Sequence, residues 1–124
     1  MPEQKVSVAL KRVYDEPSPA DGTRVLVERL WPRGFTRERA RVDVWLKEIT
    51  PGRELHNWYG HDPRKFAEFR RRYEAELASE AGQAALGKLR ELAKKGPVTL
   101  VFAARDWQHS NAVVLRDLLA REQE

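Results

Sequence analysis

The run of residues 98–104, Val-Thr-Leu-Val-Phe-Ala-Ala, constrains the fold more than any other part of this chain, because all but one of its residues are apolar. A strand with one solvated face alternates apolar and polar residues, whereas a continuous apolar run indicates a strand that is covered on both faces. Such strands are typical of the parallel sheets of α/β proteins. A second apolar run, Val25 to Val27, lies in a strand that we predict over residues 24–30. We therefore predict a single α/β domain over residues 1–124, with a small, mostly parallel sheet of about three strands flanked by helices.

The other elements follow from the spacing of apolar residues and from turn residues. A first strand is predicted over residues 6–13, and its direction stays open because the loop after it is too short for a helical crossover. Apolar spacing predicts helices over residues 42–49, 53–59, 62–77, 81–94 and 113–119. The helix that begins at Asp62 and Pro63 is expected to be the longest. The strands at residues 24–30 and 98–104 are expected to be parallel neighbours with a right-handed connection.

Charge and composition exclude several classes of protein. The net charge is +4, but residues 1–50 hold ten basic and eight acidic side chains and residues 51–124 hold thirteen and eleven, so the chain has no basic arm. Cysteine is absent, which excludes disulfides, thiolate nucleophiles and cysteine-based metal sites and fits the reducing cytoplasm, the location that we predict. No apolar run approaches the roughly 18 residues of a membrane span, and the amino terminus lacks the apolar region of a signal peptide.

Polar and aromatic side chains follow both buried strands. They are, in chain order, Arg29, Trp31, Arg33, Arg105, Asp106, His109 and Asn111. Because the carboxyl ends of neighbouring parallel strands lie side by side, where open α/β sheets bind their ligands, we expect these residues to meet. Arginines, an imidazole and the start of a helix together favour an anionic ligand, such as a small phosphorylated or nucleotide-like molecule.

Each ligand-binding residue is assigned a role. Arg29, Arg33 and Arg105 would bind the charge of the ligand. Trp31 would stack on a base or sugar ring, although packing beneath the loop is the more common fate of a tryptophan and is the competing interpretation. Ser110 or Asn111 can cap the last helix, and Asn111 is assigned as the cap and as a hydrogen-bond donor.

Four further residues extend this hypothesis. Arg12 and Asp15, at the end of the first strand, would join the site if that strand runs parallel to the others. Asp106 and His109 would form a polar or acid/base pair, since a carboxylate can orient an imidazole that titrates near neutrality. Catalysis would depend on this pair alone, and such pairs are common in non-catalytic sites, so the sequence leaves open whether the protein is an enzyme. A plain helix cap beside a solvated histidine is the competing interpretation.

Other features of the sequence bear on alternative functions. The spacing of His56 and His61 does not match a helical metal pair, so we predict no metal site. Residues 33–41 and 64–72 are rich in arginine, which makes a nucleic-acid-binding module the alternative function. In the long helix, interleaved glutamates favour a solvated face. Exposed aromatic residues suggest a third possibility, a non-enzymatic protein-interaction domain. The sequence contains no phosphate-binding glycine loop or nucleophile elbow, and we predict no cofactor and no membrane partner.

Four segments of the chain resemble a known family. They are Lys-Arg-Val-Tyr-Asp at 11–15, residues 21–34 with the run Leu-Trp-Pro-Arg-Gly, Trp-Leu-Lys-Glu at 45–48 and Asn-Ala-Val-Val-Leu at 111–115. Together they resemble the YeaO-like family, small bacterial proteins that are classed as domain of unknown function 488. The resemblance implies a compact cytoplasmic α/β domain without an established activity, and it supports a site at the exit of the strand at 98–104. A longer branch of the wider family carries a Cys-His-Arg run after its last strand. Here that region reads Gln-His-Ser-Asn at 108–111, so thiol chemistry is absent from it.

Overall fold

A parallel sheet of four strands forms the centre of the fold in a computed structural model that describes residues 7–122. The strands are β1 (Val8–Arg12), β2 (Thr23–Leu26), β3 (Val44–Trp45) and β4 (Val98–Phe102). Their order is β1-β4-β2-β3, and every neighbouring pair is parallel. The predicted α/β class and the predicted pairing of the two apolar strands are confirmed. The first strand, whose direction the sequence left open, runs parallel to β4.

Residues 7–122 form five α-helices around the sheet. They are α1 (Arg37–Ala40), α2 (Arg53–Tyr59), α3 (Phe66–Leu77), α4 (Glu80–Lys95) and α5 (Asn111–Arg121). Asp62 caps a short 3-10 turn, Pro63–Lys65, that leads into α3. The expectation that this helix would be the longest is wrong, because α4 has 16 residues and α3 has 12. Within residues 7–122, no helix combines the length and the apolar character that a bilayer span requires.

The helix predicted over residues 42–49 is not formed. Val44 and Trp45 instead pair with β2 as the fourth strand, and residues 47–49 form a 3-10 turn. The carboxylate of Asp43 accepts a hydrogen bond of 2.8 Å from the backbone N–H of Arg24, which aligns this segment with the edge of β2. The apolar spacing matched a helix, but the free edge of β2 provided hydrogen-bonding partners for the backbone of Val44 and Trp45. A strand of two residues is too short to show an alternating pattern in the sequence.

The two faces of the sheet are covered in different ways. On one face Val25, Val27 and Leu100 pack with the apolar sides of α3, α4 and α5 in the larger core cluster. On the other face Leu26 and Val101 pack with residues of the loop 31–42, which contains only the four-residue helix α1. All residues of β4 are buried, so the predicted coverage of this strand on both faces is confirmed.

A buried ion pair joins β1, β2 and the loop before β2. The carboxylate of Asp21 accepts hydrogen bonds from Arg24 Nη1 at 2.7 Å and from Lys11 Nζ at 2.9 Å. Arg24 also donates to the carbonyl oxygens of Ala40 and Arg41, at 2.9 and 3.0 Å. Burial alone would raise the pKa of Asp21, but the hydrogen bonds from Lys11, from the backbone of Ser18 and from Arg24 outweigh it and lower that pKa. The pair therefore stabilises the fold only while Asp21 is ionised.

Candidate ligand-binding site

A pocket of about 270 Å³ opens at the carboxyl ends of β2 and β4. Its walls come from the residues after β2, from α2 and the turn that follows it, from the residues after β4 and from the start of α5. Its polar lining includes Glu28, Arg29, His56, His61, His109 and Asn111, and Val27, Pro51 and Phe69 contribute apolar surface. The pocket therefore lies at the sheet edge where the sequence predicts a site.

Some of the predicted site residues meet at this pocket. Arg29, His109 and Asn111 line it. Asp106 Oδ2 lies 2.6 Å from His109 Nδ1, so the predicted pair forms. Asn111 does not cap the helix as predicted, because the cap is Ser110, whose hydroxyl accepts from the N–H of Val113. The amide of Asn111 donates instead to the carbonyl of Val27 at 3.0 Å.

The other predicted residues lie elsewhere. Trp31 belongs to the loop-covered face, where its indole N–H donates to the carbonyl of Phe35 at 2.6 Å and its ring lies edge-on to Trp45. Arg33 and Arg105 are exposed and do not line the pocket.

Arg12 and Asp15 line a separate hollow beside Trp107 and Arg116. The guanidinium of Arg12 donates to the carbonyls of Ala103 and Ala104, at 3.3 and 3.0 Å. It therefore stabilises the backbone just after β4 without lining the pocket.

Glu28 is one of the pocket residues that the sequence analysis did not assign to the ligand, and His56 and His61 are others. Glu28 is half-buried, and its Oε2 accepts a hydrogen bond of 3.1 Å from the backbone N–H of Ala103. Burial raises the pKa of Glu28, and the opposing effects of the hydrogen bond and of charge on His56 and His61 do not cancel it. The available signal was an acidic residue placed directly after three buried residues, Val25 to Val27, at the end of a core strand.

The turn after α2 brings two histidines together. Gly60 and His61 both have left-handed backbone conformations, with φ values of 53° and 58°. For a histidine this conformation is unusual, and it reverses the chain so that the ring of His61 lies 6.0 Å from the ring of His56. In the described range 7–122, no three or more His, Cys, Asp or Glu side chains are placed to hold a metal ion. Both imidazoles line the pocket.

Tyr59 fixes the opposite wall. Its ring stacks on Phe69, with 4.1 Å between ring centroids, and its hydroxyl donates to the carbonyl of His109 at 2.6 Å. Burial, with the nearby charges of Asp106 and Asp62, raises the pKa of Tyr59 to about 12. The phenol therefore stays protonated and ties α2 to the 3-10 turn Trp107–His109.

The arginine-rich stretch at residues 64–72 forms ion pairs with neighbouring carboxylates. Arg71 and Arg72 both contact Glu68, at 2.6 and 2.7 Å. Arg70 contacts Asp117 at 2.8 Å, and Arg64 contacts Asp62 at 3.1 Å. Much of the positive charge on this part of the surface is thereby neutralised locally.

A Glu28→Gln substitution should raise the melting temperature at pH 7 and change it little at pH 4. The pKa of Glu28 is higher in the folded protein than in the unfolded chain, so the wild-type side chain favours folding below the unfolded pKa, about 4.3, and loses this contribution as the pH rises through the folded pKa. Glutamine resembles the protonated form and keeps an acceptor for the N–H of Ala103. Thermal melts at the two pH values measure the difference.

The control is Glu16→Gln, the same chemical change at an exposed loop position. It should leave both melting temperatures almost unchanged. A lower melting temperature for Glu28→Gln at pH 7 would show that the ionised carboxylate stabilises the fold, contrary to the expectation from burial.

The fold and the pocket are those of a small parallel α/β domain, and the comparisons give its family. Residues 7–124 match the family model described as the inactive DUF488-N3 subclade, so the chain belongs to the DUF488 family. It is 40% identical over 114 residues to the uncharacterised protein YeaO of Escherichia coli, a match that covers 92% of this chain and 97% of that protein. It is 45% identical over 117 residues to an uncharacterised protein of Mycobacterium tuberculosis, a match that covers 94% of this chain and 95% of that protein. The resemblance to the YeaO-like family is confirmed. No solved structure gives a significant match.

Proposed function

We propose that this chain binds a small anionic molecule in the pocket at the carboxyl ends of β2 and β4 and does not transform it. The observation that carries the proposal is the convergence of Arg29, the start of α5 and three imidazoles on one concave surface. Each of these groups can donate hydrogen bonds to an anion.

Two sources of positive potential favour an anion. The exposed guanidinium of Arg29 offers a planar set of donors that suits a carboxylate or a phosphate. Ser110 and Asn111, at the start of the 11-residue helix α5, also line the pocket. The first N–H groups of a helix lack intrahelical partners, and together with the helix dipole they attract negative charge.

The hydroxyl groups of the pocket are committed to structural hydrogen bonds, which argues for binding without catalysis. The hydroxyl of Ser110 donates to the carbonyl of Trp107 at 2.7 Å, and that of Thr50 donates to the carbonyl of Lys47 at 2.7 Å. Tyr59 donates to His109 and has a raised pKa, so it is a poor proton donor near neutrality. The chain has no cysteine. The pair His109–Asp106 thus has no adjacent nucleophile to activate, in agreement with the description of the subclade as inactive.

Titration calorimetry with inorganic phosphate, acetate and adenosine monophosphate tests the proposal. At least one of these anions should bind, and Arg29→Ala should weaken its binding roughly 10- to 100-fold, because a charge-assisted hydrogen bond contributes about 1.5–3 kcal/mol. Arg37→Ala is the matched control, since it removes the same charge from an exposed position in α1, away from the pocket.

Two outcomes of the titration would contradict the proposal. One is that no anion binds to the wild-type protein. The other is that Arg29→Ala and Arg37→Ala weaken binding equally, which would indicate a general effect of net charge. The variants Arg33→Ala and Arg105→Ala extend the experiment to the two other arginines that the sequence assigned to the ligand, and we expect both to bind nearly as the wild type does.

A further inference from the structure

We propose that the ligand also carries a cationic group, as a free amino acid does, and that the Glu28 carboxylate receives this group while Arg29 and the start of α5 bind the anionic end. The inference rests on the proposed function, because it names the ligand class of the same pocket.

The first observation is that Glu28 lacks a cationic partner. The ion pairs formed within residues 7–122 include none with Glu28, and neither His56 nor His61 forms one with it. Among the described residues, its carboxylate accepts one hydrogen bond, from the N–H of Ala103 to Oε2, and Oε1 remains for another donor. A half-buried carboxylate without a counter-ion is unfavourable, and a ligand ammonium group would supply the missing charge.

The second observation is the position of this carboxylate. Glu28 is the acidic residue among the described pocket-lining residues, and it lies next to Arg29 in the sequence. A carboxylate at the wall weakens the binding of a purely anionic ligand, such as phosphate, because like charges repel each other, but it does not prevent that binding. In a pocket for a zwitterion, the same carboxylate and the neighbouring arginine provide complementary charges for the two ends.

The third observation concerns the size and the remaining walls of the pocket. A volume of about 270 Å³ accommodates a molecule of amino-acid size. Val27, Pro51 and Phe69 supply an apolar surface for a side chain.

The experiment compares free amino acids with their N-acetylated forms, which keep the carboxylate and lose the ammonium charge. The wild-type protein is titrated with the twenty common L-amino acids, and each one that binds is tested again as its N-acetyl derivative, with inorganic phosphate and acetate as simple anions. At least one free amino acid should bind ten times more tightly than its N-acetyl form. Glu28→Gln should abolish this difference, whereas Arg29→Ala should weaken the binding of both forms.

The outcomes separate the two proposals. If simple anions or N-acetyl forms bind to the wild-type protein as tightly as free amino acids do, the pocket binds anions and the zwitterion inference is wrong. If no probe of any class binds, the proposed function fails and the inference fails with it. The comparison of free and acetylated ligands on the wild-type protein decides the question even if Glu28→Gln were to fold poorly.

Discussion

The Asp21→Asn variant should lose about 3–5 kcal/mol of folding free energy at pH 7, because removal of one partner from a buried ion pair leaves the other charge uncompensated. Asp21 and Arg24 have side chains that are 8% and 5% exposed, and the hydrogen bonds of this pair connect β1, β2 and α1. Chemical denaturation followed by circular dichroism measures the loss.

The pH dependence gives this prediction a second test. The pKa of Asp21 is lower in the folded protein than in the unfolded chain. The ion pair therefore contributes fully above the unfolded pKa, about 3.9, and its contribution is lost as the pH falls through the folded pKa. The unfolding free energies of wild type and Asp21→Asn should converge in acid.

A surface ion pair is the control for Asp21→Asn. Asp62→Asn makes the same change in a carboxylate whose partner, Arg64, is 91% exposed. Asparagine also caps a helical turn well, so the effect should be far smaller than that of Asp21→Asn. Equal losses in the two variants would contradict the assignment of the Asp21–Arg24 pair as a major stabilising contact.

The Gly82→Ala variant should lose about 3 kcal/mol, since a methyl group at this position collides with backbone atoms that cannot move away. A Cβ at position 82 would lie 2.5 Å from the carbonyl oxygen of Glu76 and 2.5 Å from Leu77 Cα. The glycine thus permits the close approach of α3 and α4 at the tight connection between them, where Ser79 caps α4. The midpoint of urea denaturation measures the loss.

Gly87→Ala is a control within the same helix. Nothing lies within 4 Å of a Cβ at position 87. Alanine is the better helix former, so this variant should gain roughly 0.5–1 kcal/mol. The two substitutions are chemically identical, but their effects on the free energy of unfolding should have opposite signs. A stable Gly82→Ala protein would mean that α3 and α4 do not meet as closely as described.

The sequence was sufficient to predict the centre of the sheet because a strand that is buried on both faces has a continuous apolar sequence. Residues 98–104 and Val25 to Val27 could not face water on either side, which indicated parallel core strands. The expected right-handed connection between these two strands then made them neighbours in the sheet. The strand β3 could not be predicted in the same way. Its two residues pair with β2 because an edge is free there, which is a property of the assembled sheet and not of the local pattern.

The site was predicted in position and only partly in composition. Arg29 and His109 reach the pocket because both follow a core strand closely. Trp31 lies beyond Leu26, the last residue of β2, and after the strand ends the direction of a side chain depends on packing, which placed this indole against Trp45. Glu28 was missed because a single acid at a strand end has no periodicity, and only the folded structure shows that it lines the same pocket as Arg29 and His109.

The unequal cover of the sheet has a practical consequence for protein engineering. Two of the helices that cover one face, α3 and α5, also contribute residues to the pocket, so substitutions at those residues are expected to change stability and binding together. The loop 31–42 covers the other face and contributes no residue to the pocket. Exposed loops of this kind tolerate insertions and attached groups. An exposed position such as Glu38 is therefore suited to a fluorescent label that must report on the protein without disturbing the ligand.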